Sequence, residues 1–162
     1  GAISERRIAA LIDTVISELP PFLTTEPGLN SGYMMAHVTA AALASENKQL
    51  SHPASVDSMP TSANQEDHVS MATFAANRLH TMIDNTINII AIEFLCAGQG
   101  IDFHHPCKSS EVLEKSLTRI RKLSPALEKD RSLKPDIDAV AALINDGYFC
   151  QQCNSVLPSF TE

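Results

Sequence analysis

The sequence predicts an all-α fold, a bundle built around one long helix. Three observations predict it. Apolar residues recur at i, i+3 and i+4 along most of the chain. The segment around residues 40–44 is rich in alanine, a strong helix former whose small side chain lets helices approach closely. A third stretch keeps its period for about 30 residues without Pro or Gly, and no segment carries a convincing strand pattern.

The elements follow in order. Ser4 is suited to cap a first helix whose Ile8, Leu11, Ile12, Val15 and Ile16 share one face, and Pro20-Pro21 ends it. After a loop through Pro27-Gly28, Asn30 or Ser31 is placed to cap a second helix running to about Lys48. Residues 51–64 hold two prolines and several serines and read as an irregular loop. The long helix starts where Ser62 and Gln65 have the spacing of a capping box, with Glu66 and Asp67 in the first turn. It continues through Met71, Phe74, Leu79, Ile83, Ile87, Ile90 and Phe94 to Gly98-Gln99-Gly100. About 30 residues make a rod of roughly 45 Å, longer than a compact globule of this size accommodates. Ser110 to Leu123 is amphipathic, Pro125 to Asp130 suits a short helical turn, and Asp136 to Asn145 follows Pro135 and stops at Gly147.

Composition narrows the function. The chain has 162 residues, a net charge of −7, 44% hydrophobic residues and no Trp. That suits one folded domain, or a large piece of a bigger protein. The acidic balance argues against nucleic acid or an anionic membrane as main partner, and no apolar run is long enough to span a bilayer. The first residues are periodic rather than uniformly apolar, unlike a secretory signal. Four cysteines without a disulfide framework point to the cytoplasm. Cys150-Gln151-Gln152-Cys153 lacks the two further ligands that zinc needs, so these read as free thiols and no metal is expected. Between Leu19 and Asn64 the only charged residues are Glu26, Glu46, Lys48 and Asp57, and Asn77, His80, Asn85, Thr86 and Asn88 interrupt the long helix. Sparse charge and polar groups on a long helix suit a chain buried in an assembly, with cross-helix hydrogen bonds fixing register.

Phosphate loops, nucleophile elbows and zinc-protease motifs are absent. The concentrated polar cluster is Thr61 to His68, at the expected loop-to-helix junction, where a helix dipole favours a charged carboxylate. Complementing that dipole is itself a sufficient role for Glu66 and Asp67, and His52 and His68 read as structural.

At this junction the sequence resembles a known family. Asn30-Ser31-Gly32-Tyr33-Met34, Ala40 through Lys48, His52 through Ser58 and Thr61-Ser62-Ala63-Asn64-Gln65-Glu66-Asp67-His68-Val69-Ser70-Met71 resemble the C-terminal part of the aromatic amino acid lyases, in their histidine ammonia-lyase branch. The likeness begins at Ile3-Ser4-Glu5-Arg6-Arg7, includes Gln99-Gly100-Ile101-Asp102-Phe103 and reaches about Gly147, so residues 1–147 form the helical portion and 148–162 a tail outside it.

The resemblance implies part of the helical core of a homotetramer whose active sites combine several subunits. It implies elimination of ammonia from L-histidine to give trans-urocanate. It also implies a methylidene-imidazolone (MIO) electrophile, formed from an internal Ala-Ser-Gly that this chain lacks: Ala44-Ser45 precedes Glu46, and Ala54-Ser55 precedes Val56. The chain alone is therefore expected to be inactive. By resemblance, Glu66 is the active-site glutamate that contacts the substrate imidazole and helps to handle a proton. Gln65 and Asn64 would support it by holding the helix start. Relatives acting on phenylalanine tend to have glutamine in place of this glutamate, and a carboxylate suits an imidazole N–H. Two alternatives stay open: a parent enzyme acting on phenylalanine or tyrosine, and a stand-alone helical assembly or binding module.

Overall fold

The computed structural model describes residues 1–56 and 58–152; Asp57, Cys153 and the rest of the tail lie outside the described residues. Seven α-helices occur among them: α1 (Ala2–Ile12), α2 (Thr14–Ser17), α3 (Met34–Leu50), α4 (Ala72–Asp102), α5 (Glu111–Leu123), α6 (Lys134–Asn145) and α7 (Tyr148–Gln152). Single 3₁₀ turns sit at Pro21–Leu23 and Ala54–Val56. Among the described residues, β pairing is limited to isolated bridges, and no helix is long and apolar enough to cross a membrane.

Helix α4 is the axis of the fold, with α1, α3 and α6 packed most extensively against it. Its positions Asn85, Ile89, Ile92, Cys96 and Gln99 alternate steps of four and three and are all buried. That stripe is one helix face, and it meets the buried Ile8, Ile12, Tyr33, Ala36, Ala40 and Val140 in a single core. Ala36 and Ala40 are one turn apart and let α3 lie close to α4. Polar groups fix the register of that contact. The Asn85 amide donates to Glu46 Oε2 at 2.8 Å and to Asn47 Oδ1 at 3.0 Å, and the Asn47 amide donates to Thr86 Oγ1 at 3.1 Å. The cross-helix bonds expected of the polar residues on the long helix are thus made by Asn85 and Thr86. Asn77 and His80 are exposed.

Several boundaries differ from those the sequence predicts. The first helix starts at Ala2, so Ser4 lies inside it, and it breaks at Asp13, whose extended backbone and side chain cap α2 through Val15 N–H at 2.8 Å. Val15 and Ile16 therefore leave the apolar face, and Val15 is 88% exposed. Glu18 in the left-handed conformation ends α2 before Pro20-Pro21. Neither Asn30 nor Ser31 caps α3. Asp130 takes both groups instead: Ser31 N–H donates to Oδ2 at 2.7 Å, Gly32 N–H to Oδ1 at 2.9 Å, and Asp130 N–H returns a bond to Asn30 Oδ1 at 3.1 Å. The Ser31 and Gly32 backbone donors hold the exposed Asp130 carboxyl below its ordinary range. Gly32 has φ of +55°, and a Cβ there would stand 2.4 Å from the Phe22 carbonyl oxygen, so glycine is required.

The Gly98-Gln99-Gly100 segment does not end α4, which runs on to Asp102. These glycines are buried and let α5 and Leu19 approach the helix backbone. Ser110, the first residue of the amphipathic segment, caps α5 by accepting from Leu113 N–H, and Pro135 lies in the first turn of α6. Pro125 to Asp130 forms no helical turn, because backbone groups that a helix would need bond elsewhere. The Leu127 N–H and carbonyl both bond Gln99, and the Pro125 carbonyl accepts from Arg131. Arg131 grips the buried Asp136 in a two-bond pair at 2.5 and 2.8 Å. Burial alone would raise that carboxyl; the bonds and charge of Arg131 outweigh it and lower it.

Candidate functional site

The predicted site residues sit in a turn, well before α4 begins at Ala72. Thr61 and Glu66 face each other as an isolated antiparallel bridge. Thr61 N–H donates to the Glu66 carbonyl at 2.9 Å, and Glu66 N–H to the Thr61 carbonyl at 3.3 Å. Between them Ser62, Ala63 and Asn64 all take positive φ, at 54°, 56° and 67°. Gln65 N–H donates to the Ser62 carbonyl at 3.2 Å and tightens the loop.

The capping box expected at Ser62 and Gln65 therefore does not exist, and Glu66 and Asp67 do not occupy the first turn of a helix. Asn64 and Gln65 belong to the turn and hold no helix start. The reason is local: the backbone groups of Thr61 and Glu66 satisfy one another, and three left-handed residues reverse the chain before any helix can propagate.

Bridged residues project their side chains to one side of the pair. The Thr61 hydroxyl accordingly donates to Glu66 Oε2 at 2.8 Å. Asn64, Gln65 and Glu66 are all exposed. An exposed carboxylate accepts hydrogen bonds but has little power to select a ligand while water competes for it. The turn presents an acceptor without walls around it.

The chain continues from this turn into α4 through Val69, whose N–H is fixed by the Ser58 hydroxyl at 2.9 Å. Beside it lies an open groove of about 360 Å³ whose lining includes Ser55, His68, Ser70 and Arg78. Arg78 has no place in the sequence-based reading, although it is the single Lys or Arg in α4. Its guanidinium also lies 5.6 Å from the Phe74 ring centroid. His52 and His68 are exposed, and His68, read from sequence as structural, lines this groove. Neither Ala-Ser pair makes an electrophile: Ala44-Ser45 is inside α3, and Ala54-Ser55 is in a 3₁₀ turn followed by Val56. The residues of this chain do not fit the formation of that group.

The cysteines occupy different settings. Cys96 is buried in the core, which pushes its thiol well above the usual range, while Cys107 and Cys150 are exposed and free. Cys153 lies outside the described residues, so the second half of the Cys-x-x-Cys pair does too. Among the described residues no three His, Cys, Asp or Glu side chains gather as a metal site.

Comparison with known proteins places this geometry in context. A family model described as aromatic amino acid lyase matches residues 1–122. A histidine ammonia-lyase of Rhodospirillum rubrum is 63% identical over 149 residues, which are 92% of this chain and 29% of that protein. The crystal structure of histidine ammonia-lyase from Trypanosoma cruzi superposes with a TM-score of 0.91 at 48% identity, over 98% of this chain and 31% of the other. A tyrosine aminomutase structure from Streptomyces globisporus gives 0.87 at 30% identity, over 99% of this chain and 31% of the other. The chain thus spans about three-tenths of the length of the relatives it matches.

Proposed function

Because the chain belongs to the aromatic amino acid lyase family, we propose that it is the C-terminal portion of a histidine ammonia-lyase. The whole enzyme eliminates ammonia from L-histidine to give trans-urocanate, in the cytoplasm and as a homotetramer. The observation that carries the histidine reading is a contrast at equal coverage. Identity is 48% to the Trypanosoma histidine ammonia-lyase structure and 30% to the tyrosine aminomutase structure, although both superpose on nearly the whole chain. The backbone is common to both, so the difference lies in side chains, where specificity is written.

Residues 1–147 act as the helical portion, to which the first part of the tail adds helix α7, whose Phe149 stacks on Phe94. Within this reading Glu66 contacts the substrate. Its carboxylate accepts from an imidazole N–H in a charge-assisted bond, which a phenyl or phenol ring cannot offer at the same place. In this reading the same carboxylate holds a proton of the ring as the substrate reacts. Asn64 and Gln65 shape the turn that presents it. The MIO electrophile belongs to the part of the enzyme outside this chain, because no Ala-Ser-Gly is present here. Low charge from Leu19 to Asn64 and the bare apolar surface of α3 and α4 support the assembly.

Glu66→Gln in the full-length enzyme tests the reading. It keeps the shape of the side chain and removes the charge. We expect kcat/KM for histidine to fall on the order of 100-fold. Unchanged kinetics would remove Glu66 from the site. The chain expressed alone is expected to release no urocanate, and mixing it with the missing N-terminal portion should restore some.

A further inference from the structure

We propose that Thr61 is a positioning residue for Glu66: its hydroxyl holds one carboxylate oxygen so that the other faces the substrate ring. This rests on the assignment of Glu66 given above and adds a second residue to it. Three observations on the turn carry it. The Thr61 hydroxyl lies 2.8 Å from Glu66 Oε2. The backbones of the two residues are tied in both directions, so donor and acceptor leave the chain side by side. The loop between them holds three consecutive non-glycine residues at positive φ. That conformation is uncommon and persists where surrounding bonds over-determine it.

The chemistry fixes the roles. An ionised carboxylate only accepts, so the hydroxyl must donate. One bond to Oε2 leaves Oε1 and its lone pairs open to an imidazole N–H. A glutamate has three rotatable side-chain bonds, and at an exposed turn it would otherwise sample many directions. Holding Oε2 selects among them before substrate arrives, which is how a positioning contact raises rate without touching substrate.

The experiment uses three variants of the full-length enzyme, with histidine as substrate. Thr61→Val keeps the shape and removes the donor. Thr61→Ser keeps the donor. Thr61→Val is also combined with Glu66→Gln. We expect Thr61→Val to lower kcat about 3- to 10-fold, the scale of one net hydrogen bond, with KM changed less than about 2-fold. Thr61→Ser should stay within about 2-fold of the parent. In the Glu66→Gln background Thr61→Val should add less than about 2-fold, because its effect passes through the carboxylate. Full activity of Thr61→Val, a Thr61→Ser variant as impaired as Thr61→Val, or the same loss with and without Glu66 would each overturn the positioning role. The two readings separate cleanly. A Glu66→Gln enzyme with normal kinetics removes the Glu66 assignment itself, whereas an impaired Glu66→Gln beside a normal Thr61→Val removes only Thr61.

Discussion

Gln99 uses all of its hydrogen-bonding capacity inside the fold. Its amide N–H groups reach the Leu23 and Leu127 carbonyls at 3.3 and 3.1 Å, and its oxygen accepts from Leu127 N–H at 3.0 Å and from Arg121 at 3.5 Å. Replacing it by Leu keeps the volume and strands the Leu127 N–H and two carbonyls away from water. We expect a loss of about 3 kcal/mol, read from the urea midpoint of the full-length enzyme. A loss under about 0.5 kcal/mol would mean that those backbone groups find other partners. Single residues were unevenly legible in the sequence. Glu66 stood out because a family pattern surrounds it, yet its setting was misread. Ser62 and Gln65 have the spacing of a capping box, and that spacing is equally open to a turn. The choice is made by the Thr61–Glu66 bridge, a pairing five residues apart that neither helix period nor cap rules describe. Arg78 and Gln99 gave no local signal, since their roles depend on what other segments bring to them.

Among the elements, helix existence was plain and helix limits were not. Amphipathic period marked α1, α4 and α5, alanine richness marked α3, and Pro135 and Gly147 bracketed α6; the limits of α5 held because nothing distant competes for its ends. Where a distant group competes, local rules failed. Asp130 captures the N–H groups of Ser31 and Gly32, and Gln99 captures Leu127 before Pro125 to Asp130 can coil. Gly98 and Gly100 look like stop signals in a sequence, but here they are contact points. A Cβ on Gly98 would meet Leu117 Cδ1 at 3.4 Å and Arg121 Nη2 at 3.5 Å, ordinary packing distances. Gly98→Ala should therefore stabilise the protein by about 0.5–1 kcal/mol through helix propensity, measured as a raised thermal midpoint. Gly100→Ala should gain nothing, because its Cβ would stand 3.1 Å from Leu19 Cδ1 and force that side chain to move. A destabilised Gly98→Ala would mean that α5 cannot yield even the space of one methyl group.

At the scale of the molecule, burial along α4 is lopsided. The buried positions run from Asn85 to Gly100, while Phe74, Leu79 and Ile83 are exposed, Phe74 at 63%. Leu79 and Ile83 are one turn apart and share a face, as Met35 and Val38 do on α3. Apolar surface of this kind is a site of association. The chain purified alone should form oligomers, detected by light scattering after gel filtration. Glu substitutions at Leu79 and Ile83 should shift it towards monomer. A wild-type chain that stays monomeric at tens of micromolar would contradict the reading of these faces as interfaces. The sequence carried the same expectation: sparse charge and an over-long helix both pointed to a chain buried in an assembly. Which residues stay bare was not legible, because it depends on where α1, α3 and α6 stop covering α4.

That long helix also behaves as a lever. Its buried part is clamped to α3 from Asn85 on, and Ala72, just beyond the Glu66 turn, lies 13 residues away, roughly 20 Å at the rise of an α-helix. A tilt of about two degrees at the clamp swings the far end by roughly 0.7 Å, more than the half ångström that separates productive from idle catalytic geometry. Accuracy at the carboxylate is thus not a property that the clamp can guarantee. It must be supplied by a brace on the bare half, so in the proposed enzyme a substitution that merely loosens that brace at Leu79 or Ile83 would slow turnover from roughly 10–17 Å along the helix while leaving every bond within the turn intact.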